Sequence, residues 1–471
     1  MSRRLRKPLI IVLLLFAVAF AAVYGWRWNV DREGRKKLAA VVARIDAEDP
    51  RWRWEDLEAD QRAIPDSENS ALLVAEFRKS VGMDRKFEVE GKWLKSSKDY
   101  RANAPNRFLT AKACAEIDSA IADTEHAWPI IEQISRTPRG RFQLNDLKEW
   151  FSRRYVDEQR TPGLLRFMEW QCERLAKDHS PIRAEITLLA LLNLARIEGN
   201  APLIDRCRQQ ALELIQVCYR IERLLSLDSL HDRLNLLQAE LTKEANRDLF
   251  RQAIINSRAD SDRFFRAFDR GESSLVTYLG QWKFQRGLPI EARAWMYRPH
   301  MAADWAEALD FATQSLALAD LPEHQRRTAF AILVGPPRDD LHIVSAGCAS
   351  LTQRVLDDLL RAKAYVCCTV AALAVERYRL LTGEWPTTLE SIPKTILPSV
   401  PLDPMTGKPI LFARRTDGVT VYAVGPDGFD DGGKIDRLSP SSTGGVDLGI
   451  RLYNPDQRRL PALHVAEESE E

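Results

Sequence analysis

The densest group of chemistry-bearing residues lies near the C-terminus, in GPDGFDDGGKID at positions 425–436. Four aspartates, Asp427, Asp430, Asp431 and Asp436, alternate there with four glycines. Carboxylates and backbone carbonyls are the ligands of hard cations, and several can converge on one ion only where the chain turns tightly, as glycine permits. The four aspartates are therefore the candidate metal ligands, with Ca2+ as the expected cofactor. The spacing is not that of an EF-hand, whose twelfth position is a bidentate Glu; here that position is Asp436. A solvated Asp-Gly turn has the same composition, and the residues alone leave both readings open.

Other chemistry is not written in the chain. No GxSxG elbow, HExxH pair, GxxxxGK[ST] loop or GxGxxG turn occurs, and Met405-Thr406-Gly407-Lys408 lacks the upstream glycine of a phosphate loop and runs into Pro409. The seven histidines stand singly, so no nucleophile and base pair by spacing. His231 beside Asp232 reads as a capping neighbour, and Pro336 to Asp340 as a charged loop. The seven cysteines form no CxxC and have no His at ligand spacing, which argues against zinc. Cys207 and Cys218 fall about 16 Å apart on one expected helix, too far to bridge, and read as small core fillers. No catalytic residue is expected. An enzyme with a site assembled from dispersed residues between 100 and 340 stays open, as does a helical-repeat adaptor, although no period of 20 to 50 residues survives counting.

The elements that position the loop begin with an apolar helix. Residues 1–7 carry Arg3, Arg4, Arg6 and Lys7, and the nineteen residues 8–26 carry no charge. Nineteen helical residues span about 28 Å, close to the hydrocarbon thickness of a bilayer. Trp26 and Trp28 suit the interfacial belt beyond it. A cleaved signal peptide is the rival, with Ala19-Phe20-Ala21 as its processing pattern; span length and aromatics favour a retained anchor. The lipid bilayer is thus the expected partner of residues 8–26. The expectation is a single-pass inner-membrane protein with its bulk extracytoplasmic, because one N-terminal span after a short basic segment normally sends the downstream chain across the membrane. With 68 Lys+Arg against 67 Asp+Glu, the chain lacks the cationic excess of a nucleic-acid binder.

Residues 27–340 read as an all-α body, a bundle or array. From Pro202 to Leu227 the stripe Cys207, Ala211, Leu214, Cys218, Ile221 and Leu225 marks one buried face, Gly199 closes the helix before it, and Asp228 or Ser229 is expected to cap the next. Short connections predict three antiparallel neighbours. Trp52 and Trp54 are expected to clamp an early loop onto the body by packing. Residues 341–460 read as a small α+β head. A long helix over 354–381 carries a one-sided seam at Leu356, Leu360, Ala364, Cys367, Ala371, Ala374, Tyr378 and Leu381, Gly383 stops it, and two strands flanking Asp417-Gly418 form an antiparallel hairpin. Residues 461–471 are an acidic tail. The fold class is mainly α with a small antiparallel sheet.

The order long helix, RYRLLTGEWPTTLESI, LPSVPLDPMTGKPILFARR and VYAVGPDGFDDGG resembles the globular head of the major pseudopilins of type II secretion systems, over about residues 354–436. The resemblance implies a pilin-like α+β head and a calcium site in the loop Gly425 to Asp436. It does not extend to the N-terminus, where a pseudopilin helix carries an early Glu: here the first Glu is Glu33. The head therefore reads as a terminal module on a membrane-anchored protein. The whole arrangement, with IPDSENSA early and DLGIRLYNPDQRRLP late, is similar to membrane-anchored proteins of the bacterial envelope, a resemblance that carries no activity with it. With no catalytic signature in the residues, binding or assembly with envelope protein partners is the expected role.

Overall fold

The structure, a computed structural model, describes residues 3–60, 64–82, 104–141, 160–198, 204–230, 233–272, 274, 276, 289–335, 343–435 and 446–462. Its first element, α1 (Arg3–Glu48), is one unbroken helix of 46 residues, about 70 Å long. Its two halves meet different surroundings. From Ile10 to Trp26 every side chain is exposed, Phe16 to 71%, and among the described residues this is the one helix long and apolar enough to cross a membrane. Beyond Trp26 the helix turns a seam of Val30, Gly34, Leu38, Val41, Val42 and Ile45 at steps of three and four toward α12 (Met301–Ala317). Gly34 allows the close crossing: a Cβ there would lie 2.9 Å from the Ala303 amide nitrogen and 3.3 Å from the Ala302 methyl.

A first apolar cluster forms around this crossing. It joins Ile45 and the fully buried Trp52 to Phe264, Phe265 and Phe268 of α10 (Leu249–Asp269) and to Trp305 and Leu309 of α12. Phe265 stacks on Trp305 at 5.7 Å. Trp54, at the start of α2 (Trp54–Asp60), is buried under the Arg263 guanidinium, 3.7 Å from its ring. Both tryptophans are core, as their sequence context suggests.

The second, larger cluster runs from Ala71 to Leu452. It takes in α3 (Ser70–Ser80), α4 (Ala111–Ile121), α5 (Trp128–Arg136), α6 (Arg160–Lys177), α7 (Pro181–Arg196), α8 (Ile204–Ser226) and α9 (Leu234–Ala245). The predicted stripe of α8 is buried at all six positions. Two local expectations fail. Asp228 is not a cap: it adopts φ +56° after α8, where a short polar side chain tolerates the left-handed region. The N–H groups of Asp228 and Ser229 close back on Leu225 and Leu224. Next, α9 packs on the long helix α14 (Ile343–Thr382) instead of along α8, whereas α7 and α8 are neighbours. Gly199, Pro202, His231, Asp232, Pro336 to Asp340 and most of the tail 461–471 lie outside the described residues.

The spine of the molecule is α14, forty residues and about 60 Å. Its first turn is capped from another helix: the Asp304 carboxylate accepts from the N–H groups of Val344 (2.9 Å) and Ser345 (3.0 Å). The predicted one-sided seam is incomplete. From Ala364 to Glu376 all residues are buried; along its length α14 packs on α8, α9, α10 and α12 and carries the sheet strands β2 and β3. At its far end Tyr378 is half-buried and Leu381 is 74% exposed. Gly383, at φ +79°, ends the helix as expected.

The sheet is antiparallel in the order β1 (Leu411–Arg415), β2 (Gly418–Ala423), β3 (Leu448–Tyr453). Arg415 opposes Gly418 across a two-residue turn, and β2 is buried throughout between its two partners and α14. The expected α-helical body, apolar first helix and small antiparallel sheet are all present.

Candidate functional site

The Asp-Gly loop leaves the end of β2 and is held by three neighbours. The first is the turn DPMTGKP, built around Asp403. Its carboxylate accepts from the Met405 N–H (2.7 Å), the Thr406 hydroxyl (3.0 Å) and the Val424 N–H (3.1 Å). One buried carboxylate thus organises the turn and fixes the exit of β2; burial pushes it up from its ordinary value, against those three hydrogen bonds. The second is α13 (Glu323–Val334), whose Arg327 donates to the Pro426 carbonyl. The third is the approach to β3, which runs so close that a Cβ on Gly425 would overlap the Val446 carbonyl.

Within the loop the predicted aspartates separate by role. Asp427 accepts from the Phe429 N–H (3.1 Å) and Asp430 from the Gly432 N–H (2.8 Å), each closing a local turn two residues on. Both are exposed, as is Asp431. Asp436 lies outside the described residues.

The central carboxylate is one the sequence pattern did not single out, Asp447, which is 1% exposed. Its Oδ2 accepts from the Gly433 N–H at 2.7 Å, and the Asp431 N–H also faces the group. Its Oδ1 is buried without a hydrogen-bond partner among the described residues. Burial pushes this carboxyl up, and Asp430 and Asp431 push the same way. Burial also raises the nearby Tyr422 phenol, to about 12, with the Asp430 charge and a hydrogen bond to it adding to the effect. Asp430, Asp431 and Asp447 thus share one electrostatic neighbourhood. The signal for Asp447 was its place directly before the alternating run LGIRLY, which returns it beside β2.

A cation is already present at the rim. Arg415, the last residue of β1, donates to the Gly432 carbonyl, and its guanidinium lies 2.7 Å from where a Gly433 Cβ would be. No three acidic, His or Cys side chains converge on a common point among the described residues. The donors are nonetheless of the oxygen type that suits calcium, and Asp447 Oδ1 is an orphaned buried acceptor, so the residues fit a hard cation in chemistry.

The helical body offers less. A recess between α4 and α6, lined by Phe108, Leu109, Cys114, Ile117, Asp118 and Lys177, has room for one water, about 10 Å³. The fully buried Glu213, raised by burial, is held by Arg206 at 3.1 Å inside the protein. None of the seven cysteines is in a disulfide. Burial lifts the thiols of Cys207, Cys218 and Cys367 to about 12, which keeps them protonated and unreactive. No family model, curated protein or solved structure matches this chain.

Proposed function

We propose that the chain is a single-pass membrane-anchored protein of the bacterial envelope, its body and pseudopilin-like head outside the cytoplasm, acting by binding or assembly with envelope proteins. The observation that carries this reading is the continuity of α1. One helix presents an uncovered apolar half and then, without a break, a half fastened to the body by the Gly34 crossing and by ion pairs from Arg35 to Asp269 (3.0 Å) and from Arg44 to Asp310. Exposed apolar side chains over a bilayer's length are stable in lipid and costly in water. The outward orientation rests on the short basic segment before a single span.

Calcium is proposed as a structural clip on the head. Asp430, Asp431 and Asp447 would hold it, with Asp427 beside them. The ion would supply positive charge to carboxylates that lie near one another at the loop rim, where Arg415 donates to the Gly432 carbonyl. Binding would stabilise the fold in proportion to concentration over affinity, about 2.7 kcal/mol at a hundred times Kd.

Two measurements test the reading. Protease added to intact spheroplasts should digest the body while a cytosolic marker survives; a protected body would overturn the orientation. Thermal unfolding of the full chain in detergent should shift upward with Ca2+ relative to chelator, and the shift should vanish in Asp430→Ala and Asp447→Asn. A wild-type chain without a shift would remove the metal and leave the anchor standing.

A further inference from the structure

Where α1 leaves its exposed apolar half, a second element meets it. The Arg27 side chain donates to the Trp295 carbonyl at 2.5 Å, and its guanidinium lies 3.8 Å from the Trp295 ring centroid. One residue earlier, the Trp26 ring is 5.8 Å from that of His300. The end of α11 (Ile290–Tyr297) and the turn after it, Arg298–His300, are thus level with residues 26–27.

The surface there is aromatic and cationic. Trp26, Trp28, Trp295 and Met296 are each about half exposed, between 46% and 64%. Arg32 lies 5.3 Å from the Trp28 ring and is exposed, while Arg298, on the turn after α11, donates to the Phe268 carbonyl at 3.1 Å. The fold beneath is fixed: Ala294 and Tyr297 are buried in the cluster around α12, and the Tyr297 hydroxyl donates to Asp304 at 2.5 Å. Burying the inner face of α11 forces Trp295 and Met296 outward. Indole rings with guanidinium groups suit the headgroup layer, where the ring meets the acyl boundary and the cation meets phosphate.

We infer that Trp295 and Met296, with Trp26 and Trp28, form a foot seated in the lipid headgroup layer, so the body touches the membrane at a second point besides its anchor. The inference rests on residues 8–26 spanning the bilayer. The occupant is a lipid surface because the patch is continuous with the end of the apolar run and carries the charge that phosphate complements.

The test uses the full chain in vesicles of phosphatidylcholine and phosphatidylglycerol brominated high on the acyl chains, with tryptophan emission as readout. Trp26→Phe and Trp295→Phe should each remove a comparable share of the quenchable amplitude, while Trp385→Phe, far off in the head, should remove none. Quenching lost in Trp26→Phe but unchanged in Trp295→Phe overturns the foot and leaves the anchor. No loss in either overturns the anchor reading itself. Emission of Trp295 shielded only on dimerisation or on adding envelope extract would assign the patch to a protein and also overturn the inference.

Discussion

Arg458 and Glu376 meet in two parallel hydrogen bonds of 2.9 Å although 82 residues separate them, and both side chains are almost wholly buried. Arg379 adds a second fork to the same carboxylate, at 2.7 and 3.1 Å. Arg458 also reaches Asp228 (3.1 Å) and the Tyr453 carbonyl (2.9 Å). One residue of the closing segment therefore joins the spine α14, the end of α8 and the strand β3.

Removing one partner should be far worse than removing both. Arg458→Ala leaves a carboxylate in the core with half its hydrogen bonds and should cost about 3–5 kcal/mol, whereas an apolar pair at Arg458 and Glu376 should cost less than the single change. Urea unfolding of the full chain in detergent measures both.

The same carboxylate sets an acid limit. Burial pushes Glu376 up, but Arg379 and Arg458 outweigh it and leave the group below its ordinary 4.5. A depressed carboxyl stabilises the fold at pH values above the ordinary one and loses that contribution as pH falls through the folded value. Stability of the wild type should therefore drop below about pH 4.5, and its advantage over Glu376→Gln should shrink there. Denaturation curves at pH 7, 5 and 4 would show the two converging; a constant gap would assign the effect to packing.

At the helix crossing, Gly34→Leu should destabilise by about 1–3 kcal/mol through overpacking against Ala302 and Ala303. Gly25→Leu, where nothing lies within 4 Å of the added Cβ, should be neutral. Thermal melts of the two variants in one detergent make the comparison.

Gly418 lies where a side chain would overlap the Leu452 carbonyl oxygen. Gly418→Ala should therefore push β3 from β2 and expose the amides of Val421 and Ile450, which hydrogen exchange by mass spectrometry would detect as lost protection.

At the loop rim, Arg415→Gln frees the Gly432 carbonyl and removes a positive charge. On the calcium reading, this variant should show a larger thermal shift with Ca2+ than the wild type. An unchanged shift would place the ion away from Gly432.

The sequence was most legible where periodicity is local. The α8 stripe, the Gly383 stop and the hairpin, whose turn Thr416-Asp417 falls one residue before the expected Asp417-Gly418, each depend on a few neighbouring residues. The seam of α14 was half legible. The charge-free run Ala364 to Val375, apolar but for Thr369, is the pattern of a helix buried all round, and Leu381, which fits the seam by step, is exposed. Asp447 and Arg458 were invisible by spacing, because Gly433 reaches Asp447 from 14 residues away and the carboxylates of Glu376 and Asp228 reach Arg458 from 82 and 230. Asp228 misled because an Asp before a helix reads as a cap, while here it ends the previous helix in a left-handed turn.

The closing segment has a consequence for biogenesis. Leu460 pairs its backbone with Asn106 and Phe108, and Arg459 donates to the Leu227 carbonyl. A chain emerging from the ribosome N-terminus first has made more than 350 residues beyond Asn106 and Phe108, and more than 230 beyond Leu227, before those partners receive this segment. Until then Glu376 sits in a half-built core without the Arg458 fork. The body is thus expected to wait as an incomplete intermediate, needing a chaperone's cover, and truncations before residue 458 should be cleared by proteolysis instead of accumulating as shorter folded proteins.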